Sequence, residues 1–244
     1  MTDKELWFGY SLEKTTVYGR DVIIASPKEG TANGKWALKT EYWGAFPDVE
    51  IKLLEKGYHI AHIKNITRWY VEEDEEARRA LCKYMYKERG LSEKCVVIGM
   101  SCGGMQGIYM GAKQPEHVSC MYLDAPVVEL CSVVGKFGRT GKSPHVFSKE
   151  FFDAKGIDKY GLLSYREHPL DYVPKLVQNK VPVILVSGDS DNVVNYEENG
   201  KLLYDAYVKA GLEIQLHLKP GCDHHPHGLD DNSPIVDFIL KHDV

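Results

Sequence analysis

The sequence predicts an α/β fold with a mostly parallel central sheet and helices on both faces. Three observations predict it. Short apolar runs of strand length alternate with longer stretches of helical periodicity, the pattern of parallel strands joined through crossover helices. No internal repeat, low-complexity tract or Pro/Ser linker interrupts that alternation. The stretch "CVVIGMSCGG", from Cys95 to Gly104, carries an apolar run straight into a serine set among small residues. That is the local signature of a buried strand that bends sharply and leaves one hydroxyl exposed.

In chain order, strands are expected at 6–10, 22–25, 58–63, 96–100, 120–123, 183–187 and 214–218, and helices at 47–56, 71–88, 105–113, 197–209 and 234–241. The helix over 71–88 opens on Glu72, Glu73, Asp74 and Glu75 and carries Arg78, Arg79, Lys83 and Lys87 later, a charge order that complements the helix dipole. Its Ala77, Leu81, Tyr84 and Met85 recur at helical spacing and should face the core, and Gly90 is a plausible stop. The helix over 105–113 is rich in small residues and should pack closely. The last helix has Ser233 as its expected N-cap, Pro234 at its first position and an apolar face of Ile235, Val236, Phe238 and Ile239. Two stretches break the alternation. One is 27–44, rich in glycine and lysine, with Trp36, Tyr42 and Trp43. The other, about 127–176, is too long for one crossover helix and is expected to form a short cap or lid insertion. The whole chain, 1–244, is expected to be one domain with this cap.

Composition excludes several function classes. With 43% hydrophobic and 27% charged residues the chain is an ordinary globular one, and its formal net charge of −5 without a basic stripe argues against nucleic acid as a partner. No apolar run approaches the roughly 18 residues of a membrane span, so no membrane partner is expected. "MTDKELWFGY" lacks the apolar core of a signal peptide. Cys82, Cys95, Cys102, Cys120, Cys131 and Cys222 show no framework spacing, which fits reduced thiols and a cytoplasmic location. Oligomeric state is not legible.

Gly99-Met100-Ser101-Cys102-Gly103 matches G-x-S-x-G. The pattern alone is weak, and a tight turn with an incidental serine would produce it. Its place between a strand and a helix raises its weight. There Ser101 sits at a helix N-terminus, where backbone N–H groups are unpaired, and the N–H of Cys102 becomes a candidate oxyanion donor. A serine hydroxyl needs a base. Three of the ten histidines lie in "PGCDHHPHGLDD", after the strand expected at 214–218. In a parallel sheet that loop shares an edge with the serine turn. The acid should follow the preceding strand, where "VPVILVSGDSDNVV" supplies Asp189 and Asp191. Asp191 has cleared the turn and can reach the histidine loop, whereas Asp189 is better placed to bond local N–H groups. Asp124, ending the strand after the serine helix, is the reserve acid, with a hydrogen bond to the neighbouring loop as its plainer role.

In chain order, "GMSCGG", "GDSDNVV" and "GCDHHPHG" resemble the nucleophile, acid and histidine loops of the α/β-hydrolase superfamily. The resemblance implies an α/β-hydrolase fold with Ser101 as nucleophile, Asp191 as acid and His224 as base. Family histidine loops often read G-x-G-H, and Asp223 stands here in place of the second glycine. His225 and His227 stay open as alternative bases. The chain also resembles a bacterial esterase-like branch through "GKWALKTEYWG", "LLEKGYHIAHI", "HHPHG" and "PIVDFIL"; Lys39 stands where that branch carries arginine.

The resulting expectation is a serine hydrolase that cleaves a carboxylic ester, short-chain acyl or carbohydrate-linked, through an acyl-enzyme, on a small-molecule substrate. A peptidase or thioesterase with the same triad, and a non-catalytic hydrolase-like binding protein, stay open. No cofactor and no metal are expected, although Asp223, His224, His225 and His227 offer a metal-binding alternative. The second oxyanion donor is expected from 27–44, with Trp36 or Ala37 supplying it. Trp69, Tyr70 and Trp43 are candidate substrate-binding residues, with core packing as the alternative. The cap centre carries Lys136, Arg139, Lys142 and His145. Cys102 and Cys222 flank two candidate catalytic residues, so alkylation of either should obstruct the site.

Overall fold

A computed structural model of the protein describes residues 5–135, 137–138 and 147–243. Among these, nine strands form one sheet: β1 (Leu6–Trp7), β2 (Tyr10–Val17), β3 (Arg20–Ser26), β4 (Trp36–Lys39), β5 (His59–Ile63), β6 (Cys95–Met100), β7 (Val118–Asp124), β8 (Val183–Gly188) and β9 (Ile214–Lys219). Their order across the sheet is β1-β2-β3-β5-β4-β6-β7-β8-β9. The first three strands and the β3/β5 pair are antiparallel; every pair from β5 through β4 to β9 is parallel. The expected mostly parallel sheet is therefore present.

Burial on both faces explains the continuous apolar runs of β6 and β8. In β6, Val97 faces one core layer with β8's Leu185, while Val96, Ile98 and Met100 face the other with Ile184 and Val186. The first layer is closed by α2 (Glu72–Lys87), α3 (Cys102–Lys113), α7 (Pro169–Asn179) and α8 (Gly200–Lys209), and the second by α1 (Asp48–Glu55) and α9 (Ser233–His242). The cap of α9 differs by one residue from expectation: Asn232 is the N-cap, and Ser233 is already helical.

Two strands escape the sequence reading. β2 ("YSLEKTTV") is mostly half-exposed and lacks a clean alternation. It is joined to β3 by a two-residue turn in which Tyr18 and Gly19 both have positive φ, 54° and 69°, the backbone of a type I′ hairpin turn. β4 is four buried residues, "WALK", inside the Gly/Lys-rich stretch.

The stretch from 127 to 176 holds α4 (Leu130–Val133), α5 (Ser148–Lys155), α6 (Lys159–Ser164) and the start of α7. Val173 and Leu176 of α7 lie in the sheet's first core layer, so α7 acts as a crossover helix. The shorter helices cover a separate apolar cluster of Trp69, Tyr70, Met105, Tyr109, Leu130, Val133, Phe151 and Leu162. Lys136, Arg139, Lys142 and His145 lie outside the described residues. No helix among the described residues is long and apolar enough to cross a membrane.

Candidate active site

Ser101 joins β6 to α3 with φ 53° and ψ −118°, a conformation that costs a non-glycine residue on the order of 1–3 kcal/mol and persists only where surroundings enforce it. They do. The Ser101 N–H donates to the Asp124 carbonyl at 2.9 Å, and the Ser101 carbonyl accepts from Gly104 and Val127 N–H groups at 3.0 and 3.1 Å. Gly104 is required by crowding, since a Cβ there would stand 2.5 Å from the Pro126 side chain. The hydroxyl of Thr40, just beyond β4, donates to the Gly103 carbonyl at 2.7 Å, clamping that loop to the serine turn.

The loops after β8 and β9 meet beside this turn. Gly188 lets them approach, because a Cβ there would lie 2.2 Å from the Cys222 carbonyl oxygen. Asp191 is fully buried. Its Oδ1 accepts from the Val193 and Val194 N–H groups at 2.7 and 2.8 Å, and its Oδ2 lies 2.8 Å from His224 Nδ1. A carboxylate oxygen accepts, so this contact uses Nδ1 as the donor and leaves Nε2 as the outer ring nitrogen. Asp223, the departure from glycine, ties the loops together: its Oδ1 accepts from the N–H groups of Asn192 and His224, both at 2.8 Å. The Asn192 N–H, then that of His224, hold the Asp223 carboxyl below its usual range. Asp189 accepts from the Gly221 N–H at 2.7 Å.

A second Asp–His pair stands next to the first. His227 Nδ1 lies 2.8 Å from Asp124 Oδ1, and Asp124 Oδ2 accepts from the Tyr122 hydroxyl and the Gly228 N–H, both at 2.7 Å. His225 stacks on Phe46 at 5.5 Å; burial, then His224 and His227, press its pKa below the ordinary value. Ser101, His224, His225 and His227 line one cavity of about 300 Å³. Its remaining wall includes Tyr42, Phe46, Met100, Phe147, Val193 and Arg68. Arg68 is held by Glu150 through two hydrogen bonds of 2.8 and 2.9 Å, with its guanidinium 5.2 Å from the Phe147 ring.

Residues 64–242 match the model of the prolyl oligopeptidase family. The chain belongs to that family. Its fold is the α/β-hydrolase fold. The fold is shared with Porphyromonas gingivalis dipeptidyl peptidase 4 (TM-score 0.72, 16% identity, 96% of this chain and 36% of that one). It is shared also with Pyrococcus horikoshii acylaminoacyl peptidase (TM-score 0.69, 15% identity, 96% and 42%). Est1E from Butyrivibrio proteoclasticus superimposes with TM-score 0.66 at 15% identity, over 95% of this chain and 98% of its own. The chain thus spans well under half the length of the two peptidases.

Within this prolyl oligopeptidase-family fold, several expected site residues fall elsewhere. Trp36 is not an oxyanion donor: it opens β4, is fully buried, and donates its indole N–H to the Ser92 carbonyl at 2.9 Å. Ala37 pairs with Val96, which places Trp36 level with the start of β6, about 20 Å along the sheet from Ser101 at ~3.3 Å per residue. The error follows from the missed strand, since the loop reaching the serine comes after β4 and not after β3. Trp69 and Tyr70 are buried packing residues and do not line the cavity beside Ser101. Trp69 is fully buried against Phe151 at 5.3 Å, and Tyr70 stacks on Tyr109 at 3.9 Å. Trp43 packs on Trp7 at 4.7 Å, away from the cavity. Its neighbour Tyr42, with φ 58°, turns inward instead. Tyr42, Phe46, Arg68 and Phe147 carried no sequence signal beyond the aromatic richness of their loops.

Cys102 opens α3 and its backbone N–H is at the helix start. Its side chain is a different matter. The thiol is buried, and burial pushes its pKa up to about 12, so the thiolate that alkylating agents need is scarce. Brief native treatment with iodoacetamide at pH 8 is expected to modify the half-buried Cys222 first, with Cys102 protected until the protein is unfolded. Peptide mass mapping with and without denaturant checks this; early labelling of Cys102 would contradict the burial argument.

Proposed function

We propose that the protein hydrolyses small carboxylic esters, with Ser101 as nucleophile, His224 as general base and acid, and Asp191 as the group that orients His224. The observation that carries this reading is the 2.8 Å contact between His224 Nδ1 and the buried Asp191 Oδ2, at a cavity lined by both His224 and the strained Ser101. Ser101 Oγ attacks the acyl carbon as its proton passes to His224 Nε2. The tetrahedral intermediate collapses, the C–O bond to the alcohol breaks, and His224 returns the proton to the leaving oxygen. A water molecule then repeats the cycle on the acyl-enzyme and regenerates Ser101.

The Cys102 N–H supplies one oxyanion donor, as an unpaired amide at the start of α3. The second comes from the loop at Glu41 and Tyr42, which follows β4 and packs on Gly103. Burial pushes the Tyr42 phenol pKa upward, so Tyr42 stays a neutral donor. The ~300 Å³ cavity is at the small end for ligand sites. Its Phe46, Met100, Phe147 and Val193 suit a short acyl chain or a single ring, including acyl groups carried on a sugar.

A peptidase reading is kept by the family match and by the likeness to the two peptidases. A panel of p-nitrophenyl acyl esters, acetylated sugars and aminoacyl anilides tests the two. The expected result is highest kcat/KM on acetyl to butyryl esters, with a fall of about tenfold or more at octanoyl, where each further methylene finds no cavity to fill. Faster turnover of anilides than of any ester would replace the ester reading by the peptidase one.

A further inference from the structure

A triad needs one histidine, and this site brings three together. His224, His225 and His227 each offer a ring nitrogen, and these nitrogens all lie within 4.8 Å of one another. The rings stand nearly perpendicular in pairs, with centroids 4.8 to 5.0 Å apart. Two of the three have Nδ1 bound to a buried carboxylate, Asp191 for His224 and Asp124 for His227. Each carboxylate is itself fixed by further donors, so both imidazoles are oriented through Nδ1 with Nε2 left as the outer nitrogen. A carboxylate behind a histidine with a bare outer nitrogen is how metal-binding histidines are commonly oriented. The hydrolytic reading uses one such pair. The second, together with the exposed His225, has no part in it.

We propose that His224, His225 and His227 form a binding site for a borderline divalent cation of the zinc type, and that occupancy withdraws His224 from Ser101 and silences the hydrolase. The second half rests on His224 being the base. Zinc binds neutral imidazole at about 2.0–2.1 Å in a tetrahedral shell, which brings ligand nitrogens to about 3.3 Å. Ring tilts of roughly 1 Å close the present cluster to that spacing. Water fills the fourth position, and Asp191 and Asp124 offset the ion's charge from behind. Hard cations such as Mg²⁺ prefer oxygen ligands and gain little from three imidazoles. The two carboxylate-backed Nδ1 atoms keep their donor contacts, and the ion takes the opposite Nε2 atoms of His224 and His227.

The test uses the full chain freed of metal by a chelator. Zn²⁺ is titrated in competition with a chromophoric chelator, and reaction with a fluorophosphonate probe is followed with and without Zn²⁺. One Zn²⁺ should bind per chain in wild type and in Ser101→Ala alike, and Mg²⁺ should not compete. His225→Ala and, as a second variant at this exposed position, His225→Gln should each weaken binding about tenfold or more. Zn²⁺ should slow wild-type labelling at least tenfold, with EDTA restoring it. Unchanged affinity in both His225 variants would overturn the site and move the ion elsewhere, for instance to Glu129, Cys131 and His168, which also converge. Undiminished labelling with zinc bound would overturn the silencing. If the metal-free chain fails to label at all, the serine-hydrolase assignment of Ser101 falls, while the titration still decides the site.

Discussion

Asp191→Asn is expected to lower kcat about 10⁴-fold, whereas Asp124→Asn should cost less than about 10². The two aspartates make the same kind of contact, each 2.8 Å from a histidine Nδ1 at one cavity, so geometry at the carboxylates alone does not rank them. Their other partners do. Asp191 sits in a turn and spends its second oxygen on the Val193 and Val194 amides, leaving Oδ2 to fix the tautomer of His224. Asparagine there offers an amide N–H toward Nδ1, which drives the proton to Nε2 and removes the lone pair that must accept from Ser101. Asp124 ends β7 and accepts from Tyr122 and Gly228. It anchors the histidine loop to the sheet, and an asparagine oxygen can keep part of that anchoring. Steady-state rates on a butyryl ester separate the two variants, with circular dichroism confirming that both fold. Equal losses, or a larger loss in Asp124→Asn, would transfer the base role to His227.

Much of this site was legible because its backbone demands are local. The serine turn needs small residues at fixed offsets, and "GMSCGG" carries them. Chain order then directed attention to Asp191 and His224, which the fold sets 2.8 Å apart through residues 33 positions distant in sequence. The cavity wall was not legible, for two physical reasons. First, β4 is only four residues long and ends in lysine, so no periodicity marks it. With β4 unmarked, the loop that reaches the serine turn reads as following β3, and Trp36, a core residue, reads as a candidate donor. Second, aromatic residues in loops read alike whether they face a core or a cavity. Tyr42 and Trp43 are neighbours, yet only Tyr42 lines the site. What separates them is a positive φ at Tyr42, a backbone choice that an L-residue such as tyrosine does not advertise. The second Asp–His pair is a third kind of omission. Asp124 and His227 each stand out in the sequence, but their pairing depends on β7 and the loop after β9 meeting across β8, a tertiary fact with no local trace.

Lys39→Met is expected to destabilise the protein by about 3–5 kcal/mol, the usual cost of leaving one member of a buried ion pair without its partner. Lys39 is 1% exposed and Glu50 is 2% exposed. The ammonium bonds Glu50 Oε1, donates to the Ala45 carbonyl at 3.2 Å and lies 3.2 Å from Met100 Sδ. Glu50 Oε2 finds no hydrogen-bond partner among the described residues, so without Lys39 the whole carboxylate charge is stranded. Methionine keeps most of the unbranched stem and removes the ammonium with its charge and its hydrogen bonds to Glu50 and Ala45. The double variant Lys39→Met/Glu50→Leu removes both charges and should regain most of the lost stability, because a well-packed apolar pair often matches a buried ionic one. Activity should not follow stability back. Lys39 also holds the Ala45 carbonyl, and with it the loop that carries Tyr42 and Phe46 into the cavity. Replacing a charge-assisted bond worth about 1.5–3 kcal/mol with a thioether leaves that loop less constrained, so the double variant should bind ester more weakly and show a raised KM. Urea unfolding of the two single variants and the double one, beside ester kinetics, reads both effects. A Lys39→Met chain as stable as wild type would mean that the buried pair contributes nothing. A double variant with unaltered KM would mean that Lys39 does not position the loop.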